Sequence, residues 1–280
     1  MQDRYAGDVG DFLKLGLLRF LVAAAGGHPA LRLGVVWYRV PDEAHNADGK
    51  HVAYLSSASD AGRALSRLDP DLYRRLASVV NSGNRTVAAL ERPGVLPLGA
   101  ASFNDELTFA QFGSSAKAAR IAHRVAWLSR ALVAVDGCDV VFADPDNGVR
   151  GSGHRVPSHR TKSVKHAYFD ELRQFTSRGQ SLVVYHHADR STTVERQAQL
   201  RMADASEHLG VEPLAAVRAS RGTNRLFLVL PVAKHRSDLQ ARLQDLQQSR
   251  WSSELTVYWW PPAQRSVVGE GGGESGGGQL

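Results

Sequence analysis

"VVFADPDNGVRG", residues 140–151, decides the reading of the fold. Asp139 to Ala143 reads as a short buried strand. Asp144-Pro145-Asp146-Asn147-Gly148 then follows, a composition unsuited to a buried element. Pro145 restricts φ and has no N–H to donate. Gly148 permits a turn that other residues resist. In an open parallel sheet, ligands bind outside the carboxyl ends of the strands. An ordinary Asx-turn accounts for part of this pattern. The convergence of three polar groups at one strand end points instead to a reaction centre. Asp144, Asp146 and Asn147 are the candidate catalytic residues.

Outward from this stretch, strands alternate with helices. Asp8 or Asp11 is placed to cap a helix running to Ala25, with Phe12, Leu15, Leu18 and Val22 at helical spacing and Gly26-Gly27 as its stop. Leu33 to Tyr38 reads as a buried strand, and Arg39 to Lys50 as a polar loop. Helices are predicted over 60–68 and 70–81. Residues 116–133 predict an amphipathic helix with Ala119, Ala122, Val125, Ala126, Leu128 and Leu132 toward the core and Arg120, Arg124 and Arg130 elsewhere. Further helices are predicted over 165–178, 193–209 and 237–249. Further strands are predicted over 181–186 and 226–230, with 255–259 as an edge. This alternation implies an α/β fold, a Rossmann-like three-layer sandwich on a mostly parallel sheet. One domain over 1–263 is expected. The "GEGGGESGGGQL" stretch cannot bury apolar area, so 264–280 is expected to be a disordered Gly-rich tail.

The chain has 280 residues, a formal net charge of +6 and one cysteine, Cys138. A single cysteine excludes an internal disulfide and any multi-cysteine zinc site. No signal-peptide pattern and no long uncharged apolar run appear, so a cytoplasmic protein with no membrane span is expected. Gly148 to Phe169 holds no acidic residue but carries Arg150, Arg155, Arg160, Lys162 and Lys165. A basic loop beside a candidate site suits a phosphate-bearing partner, so these five are the candidate nucleic-acid contacts. Adjacent residues on a strand face opposite ways, so at most one of His186 and His187 is expected to reach the site.

"YAGDVGDFLKLGLL" (Tyr5 to Leu18), "FADPDNG" and "VVYHH" occur in the order of three motifs of the RlmJ-type large-subunit rRNA adenine-N6 methyltransferases, and the chain resembles that family. The resemblance implies a methyltransferase-type fold that binds S-adenosylmethionine (SAM). It implies Asp144 as acceptor of an adenine amino group, Lys14 beside the cofactor, and a target base flipped out of its stack. Asp11, Tyr38, Asp42 and His45 are the further candidates for cofactor contact. The sequence departs from the family at Asp146 and Asn147, where the family has Pro and a stacking Tyr, and at Leu15, where it has His. Only Gly49 stands where a glycine-rich cofactor loop is expected. The pattern is also similar to a group of bacterial proteins carrying GDxGDxxKxGLLR, PDExHNxDGK and DPDNG.

Two other readings stand beside the methyltransferase. The acids and imidazoles at 8, 11, 42–51, 144–146 and 186–189 suit a nuclease or phosphodiesterase holding Mg²⁺ or Mn²⁺. A catalytically inactive nucleic-acid-binding relative is the third. No metal ligand set is assigned under the first reading.

Overall fold

The computed structural model describes residues 1–24, 27, 30–43, 49–56, 58–150 and 157–261. The Gly-rich tail, His45 and Arg155 lie outside the described residues. The chain forms α1 (Val9–Val22), β1 (Leu33–Val36), α2 (Asp60–Ser66), α3 (Pro70–Asn81), α4 (Val87–Leu90), β2 (Ala101–Phe103) and α5 (Lys117–Ala134). It continues with β3 (Val140–Ala143), β4 (Gly148–Val149), β5 (His166–Ala167), α6 (Phe169–Thr176), β6 (Ser181–His187), α7 (Val194–Leu209), β7 (Ala215–Ala219), β8 (Arg225–Leu230), α8 (Arg236–Gln248) and β9 (Leu255–Trp259).

Seven strands make one sheet in the order β2-β1-β3-β6-β8-β7-β9. The pairs from β2 to β6 are parallel, and β8 and β9 run against the rest. This is a mostly parallel α/β sheet with helices on both faces, a Rossmann-like three-layer sandwich. Val36 pairs with Ala143, and Ala143 with Val184, so β1 and β3 end level beside β6. Strand alternation divides the core. Val140, Phe142, Val183, Phe227 and Val229 face α1, α3 and α8. Val141, Ala143, Leu182, Val184 and Leu228 face α5, α6 and α7.

α1 is buried nearly all round, including Asp11 and Lys14. Asp8 caps it, accepting from the Asp11 amide at 3.0 Å. Gly16 lets the Trp251 ring approach, since a Cβ there would lie 2.0 Å from a ring carbon. A helix so enclosed holds its polar residues in place, which matters for the site below.

α5 is turned away from the face expected of it. Leu128 is buried and Arg130 exposed as expected, but Arg120 and Arg124 are buried with Trp127 and Ala131, while Ala119, Ala122, Val125 and Ala126 are exposed. The buried arginines have carbonyl and carboxylate partners. Arg120 donates to the carbonyls of Phe112 and Gly113 at 3.0 Å each and of His159 at 3.2 Å. Arg124 pairs with Glu171 and donates to Ser163 O at 3.0 Å and His166 O at 2.6 Å. Five donors in a planar fork fasten the 159–167 segment in a way no aliphatic side chain could. β2 and β7 were not anticipated. β2 is three residues long, and β7 (Ala-Ala-Val-Arg-Ala) lacks the β-branched signal and carries Arg218, whose Nε donates to Asn224 Oδ1. The helix expected from Lys165 starts at Phe169, because His166 and Ala167 pair with Gly148 and Val149.

The inverted face has a measurable signature. Arg124→Ala leaves Glu171 and two carbonyls without their donor and should cost about 3–5 kcal/mol. Ala122→Gln on the exposed face should stay within about 0.5 kcal/mol. Urea unfolding of the two variants measures both.

Candidate functional site

Beyond the carboxyl ends of β3 and β6 lies a cavity of about 280 Å³. α1 forms one wall through Asp8, Gly10, Asp11 and Lys14. The turn after β3 forms a second through Asp144, Pro145, Asp146 and Asn147. Tyr185 and His187 of β6 and Arg225 and Phe227 of β8 complete the sheet side.

The centre of this wall is an ion cluster. Lys14 Nζ lies 2.7 Å from Asp11 Oδ1 and 2.8 Å from Asp144 Oδ2. Its ammonium stands 5.1 Å over the Trp37 ring and 5.9 Å over Phe142. Asp11 Oδ2 accepts from the Gly7 amide at 2.9 Å. Burial alone would depress the Lys14 pKa, but Asp11 and Asp144 outweigh it and hold the ammonium above its ordinary value. Burial raises the Asp144 carboxyl, and Lys14 and the Met1 amine partly offset that rise. Asp144 is therefore a stronger proton acceptor than a surface carboxylate.

Asp146 has a different job. Its side chain is 4% exposed and accepts from Gln2 Nε2 at 2.9 Å. Lys165 Nζ lies 3.3 Å from Oδ2, and the Met1 amine 3.7 Å from Oδ1. Burial would raise its pKa, but the Met1 amine, Gln2 and Lys165 outweigh that and hold it below the ordinary value. Lys165 also pairs with Glu43 at 2.6 Å. Asp146 thus ties the N-terminal segment, the loop after β1 and the basic segment together at the cavity rim. Its bonds are structural, although it borders the cavity.

The other candidates divide. Asn147 borders the cavity and its amide donates to Lys165 O at 2.8 Å. Asp11 and Lys14 are in place. Tyr38 is not: its side chain lies on the α5 face of the sheet, packed 4.7 Å from Trp127, with its hydroxyl 3.5 Å from Glu171 Oε2. Continued alternation past β1 turns it away from the cavity, and its φ of 36° marks the bend there. Only its carbonyl, which accepts from the Met1 amine at 3.1 Å, faces this side. Asp42 is exposed and accepts from the Arg4 amide. Arg150 packs on His166, with 2.7 Å between Nη2 and Nε2. Arg160 and Lys162 are exposed at a 3₁₀ turn over Thr161–Lys165. Of the expected basic contacts among the described residues, only Lys165 reaches the rim, and there it is already paired.

Of the histidine pair, His187 borders the cavity and its Nδ1 lies 3.3 Å from the Tyr185 hydroxyl. Tyr185 and Phe227, 5.9 Å apart, give the cavity an aromatic wall. Met1, Tyr5 and Thr223 also border it and were not anticipated, and His51, one of the imidazoles of the 42–51 stretch, borders it too. One usable signal was Gly10. A Cβ there would lie 2.5 Å from the Arg225 guanidinium carbon, so the second glycine of "GDVGD" makes room for Arg225, which sits 3.8 Å from Asp8.

His186 points to the opposite face. Gly148, at φ 100°, packs directly on it, and a Cβ there would lie 2.5 Å from its Nδ1. Burial, then the Arg201 cation, brings the His186 pKa down to about 3. Burial, then the Arg150 cation, brings that of His166 down to about 4.

No family model, curated protein or solved structure matches the chain.

The two neutral histidines set an acid limit on stability. Below their ordinary value of 6.5 the unfolded chain takes up protons that the folded chain cannot hold. Their contribution is complete above pH 6.5 and is lost as pH falls toward 4 and then 3. Melting temperatures measured from pH 7 to pH 4 should decline, and His166→Gln with His186→Gln should flatten that decline.

Proposed function

We propose that this chain is a SAM-dependent methyltransferase-like protein that acts on an amino group of a nucleic-acid base, with Asp144 at the reaction centre. The observation that carries this reading is the buried Asp144 carboxylate, held by Lys14 at the end of β3 inside a cavity with an aromatic wall.

The donor set suits the cofactor. Asp8, Asp11, Asp144 and Asp146 border the cavity against three cations, Lys14, Arg225 and the Met1 amine. Asp8 has the longest of the ion pairs, 3.8 Å to Arg225, so its carboxylate is the one best placed to meet a ligand's positive charge. The cavity is at the small end for ligand pockets. Residues 44–48, which precede the bordering Gly49 and His51, lie outside the described residues. Asp8 would face the cofactor's positive charge, with Asp11 behind it fixed by Lys14 and the Gly7 amide. When bound, the cofactor supplies the methyl group. The remaining work falls to the chain itself. Asp144 would accept a hydrogen bond from the substrate amine and take the proton that the amine gives up on methylation, so the positive charge developing on nitrogen is neutralised by the carboxylate. Lys14 keeps that carboxylate in position. Tyr185, backed by the buried Phe227, offers a ring on which a flipped base stacks in place of water. Positioning of this kind supplies a large share of a group-transfer barrier.

A metal-dependent phosphodiesterase is disfavoured by one contact. Asp11 and Asp144 are the carboxylates a divalent ion would share, and Lys14 Nζ stands between them and supplies the positive charge. Among the described residues no group of three or more His, Cys, Asp or Glu is placed to hold an ion.

Calorimetry decides among the readings. SAM should bind, and Mn²⁺ alone should not. Binding of Mn²⁺ without SAM would favour the phosphodiesterase, and binding of nucleic acid alone the inactive relative. Asp144→Asn should lower turnover by about 10²–10⁴-fold and keep a cooperative melt. Neutralising Arg160 and Lys162 should weaken nucleic-acid binding and reduce its salt slope by about two. Titrations at several salt concentrations measure that slope.

A further inference from the structure

We propose that Asp8 and Arg225 together form the subsite for an α-amino acid group, its carboxylate on Arg225 and its ammonium on Asp8. The group is the amino acid end of the SAM proposed for this cavity, and the inference rests on that reading.

Arg225 opens β8 and is 9% exposed, yet it borders the cavity. Its fork is only partly used. Nη1 donates to the carbonyls of Arg221 at 3.0 Å and Thr223 at 3.2 Å, which holds the guanidinium in place. Its flat side lies on Gly10, where a Cβ would stand 2.5 Å from Cζ and 2.6 Å from both Nε and Nη2. A side chain at position 10 would displace the group, so the glycine fixes where it sits. The Nε–Nη2 edge remains. Among the described residues Nε makes no hydrogen bond, and Nη2 faces only Asp8 Oδ2, 3.8 Å away. At that distance the two form an ion pair without a hydrogen bond. The Nε–Nη2 edge is one that takes a carboxylate side-on through two parallel N–H···O bonds.

Asp8, also buried, is in a matching condition. Its Oδ1 is committed to the Asp11 amide at 3.0 Å as the cap of α1. Its Oδ2 faces Arg225 and accepts no hydrogen bond among the described residues. Two opposite charges thus stand side by side, each buried and each with hydrogen-bonding capacity unused. A ligand that fills both edges recovers what each lacks.

The same pair selects the ligand's chemistry. A phosphate or a simple carboxylate on Arg225 would lie against Asp8 and be repelled. A simple amine on Asp8 would lie against Arg225. A carboxylate and an ammonium carried on one carbon satisfy both residues and leave the local charge unchanged. An α-amino acid has that arrangement. The amino end of α1, at Gly10, adds a favourable field for the carboxylate.

Calorimetry of the full chain with SAM and with decarboxylated SAM, which keeps the sulfonium and the amine, tests the proposal. SAM is expected to bind at least about tenfold tighter than the decarboxylated form. Arg225→Gln should bring that ratio to about one. Asp8→Asn retains a capping side chain, so the start of α1 is kept. It should weaken both ligands and preserve the ratio. Equal binding of the two ligands to the unaltered chain would overturn the subsite and leave the cofactor reading standing. A ratio unchanged in Arg225→Gln, or SAM binding indifferent to Asp8→Asn, would do the same. Failure of SAM to bind at all would remove the cofactor reading and the subsite with it.

Discussion

The architecture around the cavity depends on Lys14, an ammonium enclosed by protein and held between two carboxylates. Buried charges are tolerated only when paired with good geometry. Here Asp11 comes from the same helix and Asp144 from the end of a central strand, so one ion cluster sets where α1 sits above the sheet. The enclosure of α1, the Asp8 cap and the close approach of Trp251 to Gly16 all support that placement. Removing the ammonium would leave two buried carboxylates with no cation between them, so the three residues act as a unit. The same unit gives the cavity its chemistry. A carboxylate raised by burial and checked by an ammonium is suited to accepting a proton or a hydrogen bond from a substrate.

The sheet was legible because its strands carry strong apolar runs followed by polar punctuation. "VVFA" before "DPDNG" and "SLVVYH" before Ala188 both ended close to where the periodicity placed them. α5 was not legible in the same way. Periodicity reports which residues share a side of a helix, but which side turns inward depends on partners distant in sequence. Glu171, Ser163 O and His159 O made the arginine side the buried one. β7 escaped notice for a related reason: pairing with β8 and β9 stabilises a strand that its own composition does not favour.

The site was legible in outline and not in its division of labour. Asp11, Lys14, Asp144, Asp146 and Asn147 all border one cavity, as the motif order suggested. Tyr38 went to the other face because a strand allows only alternate residues on each side. Asp146 resembled Asp144 in sequence, yet one carboxylate is held by α1 and the other by the rim. No local signal separates the two, since their partners Gln2 and Lys165 lie far away in the chain. Arg225 reaches the cavity from the start of β8, and its close packing on Gly10 explains a glycine that helix propensity would exclude.

The rim around Asp146 has a thermodynamic consequence. Gln2, Glu43, Asp146 and Lys165 belong to four separate stretches of chain but share one set of hydrogen bonds and ion pairs. Lifting any one stretch exposes charges that the others must then solvate, so their opening free energies are not additive. Loosening of this rim is then a single concerted event with one equilibrium constant. Dissolved ions, by weakening every pair at once, would shift that constant for the whole rim together.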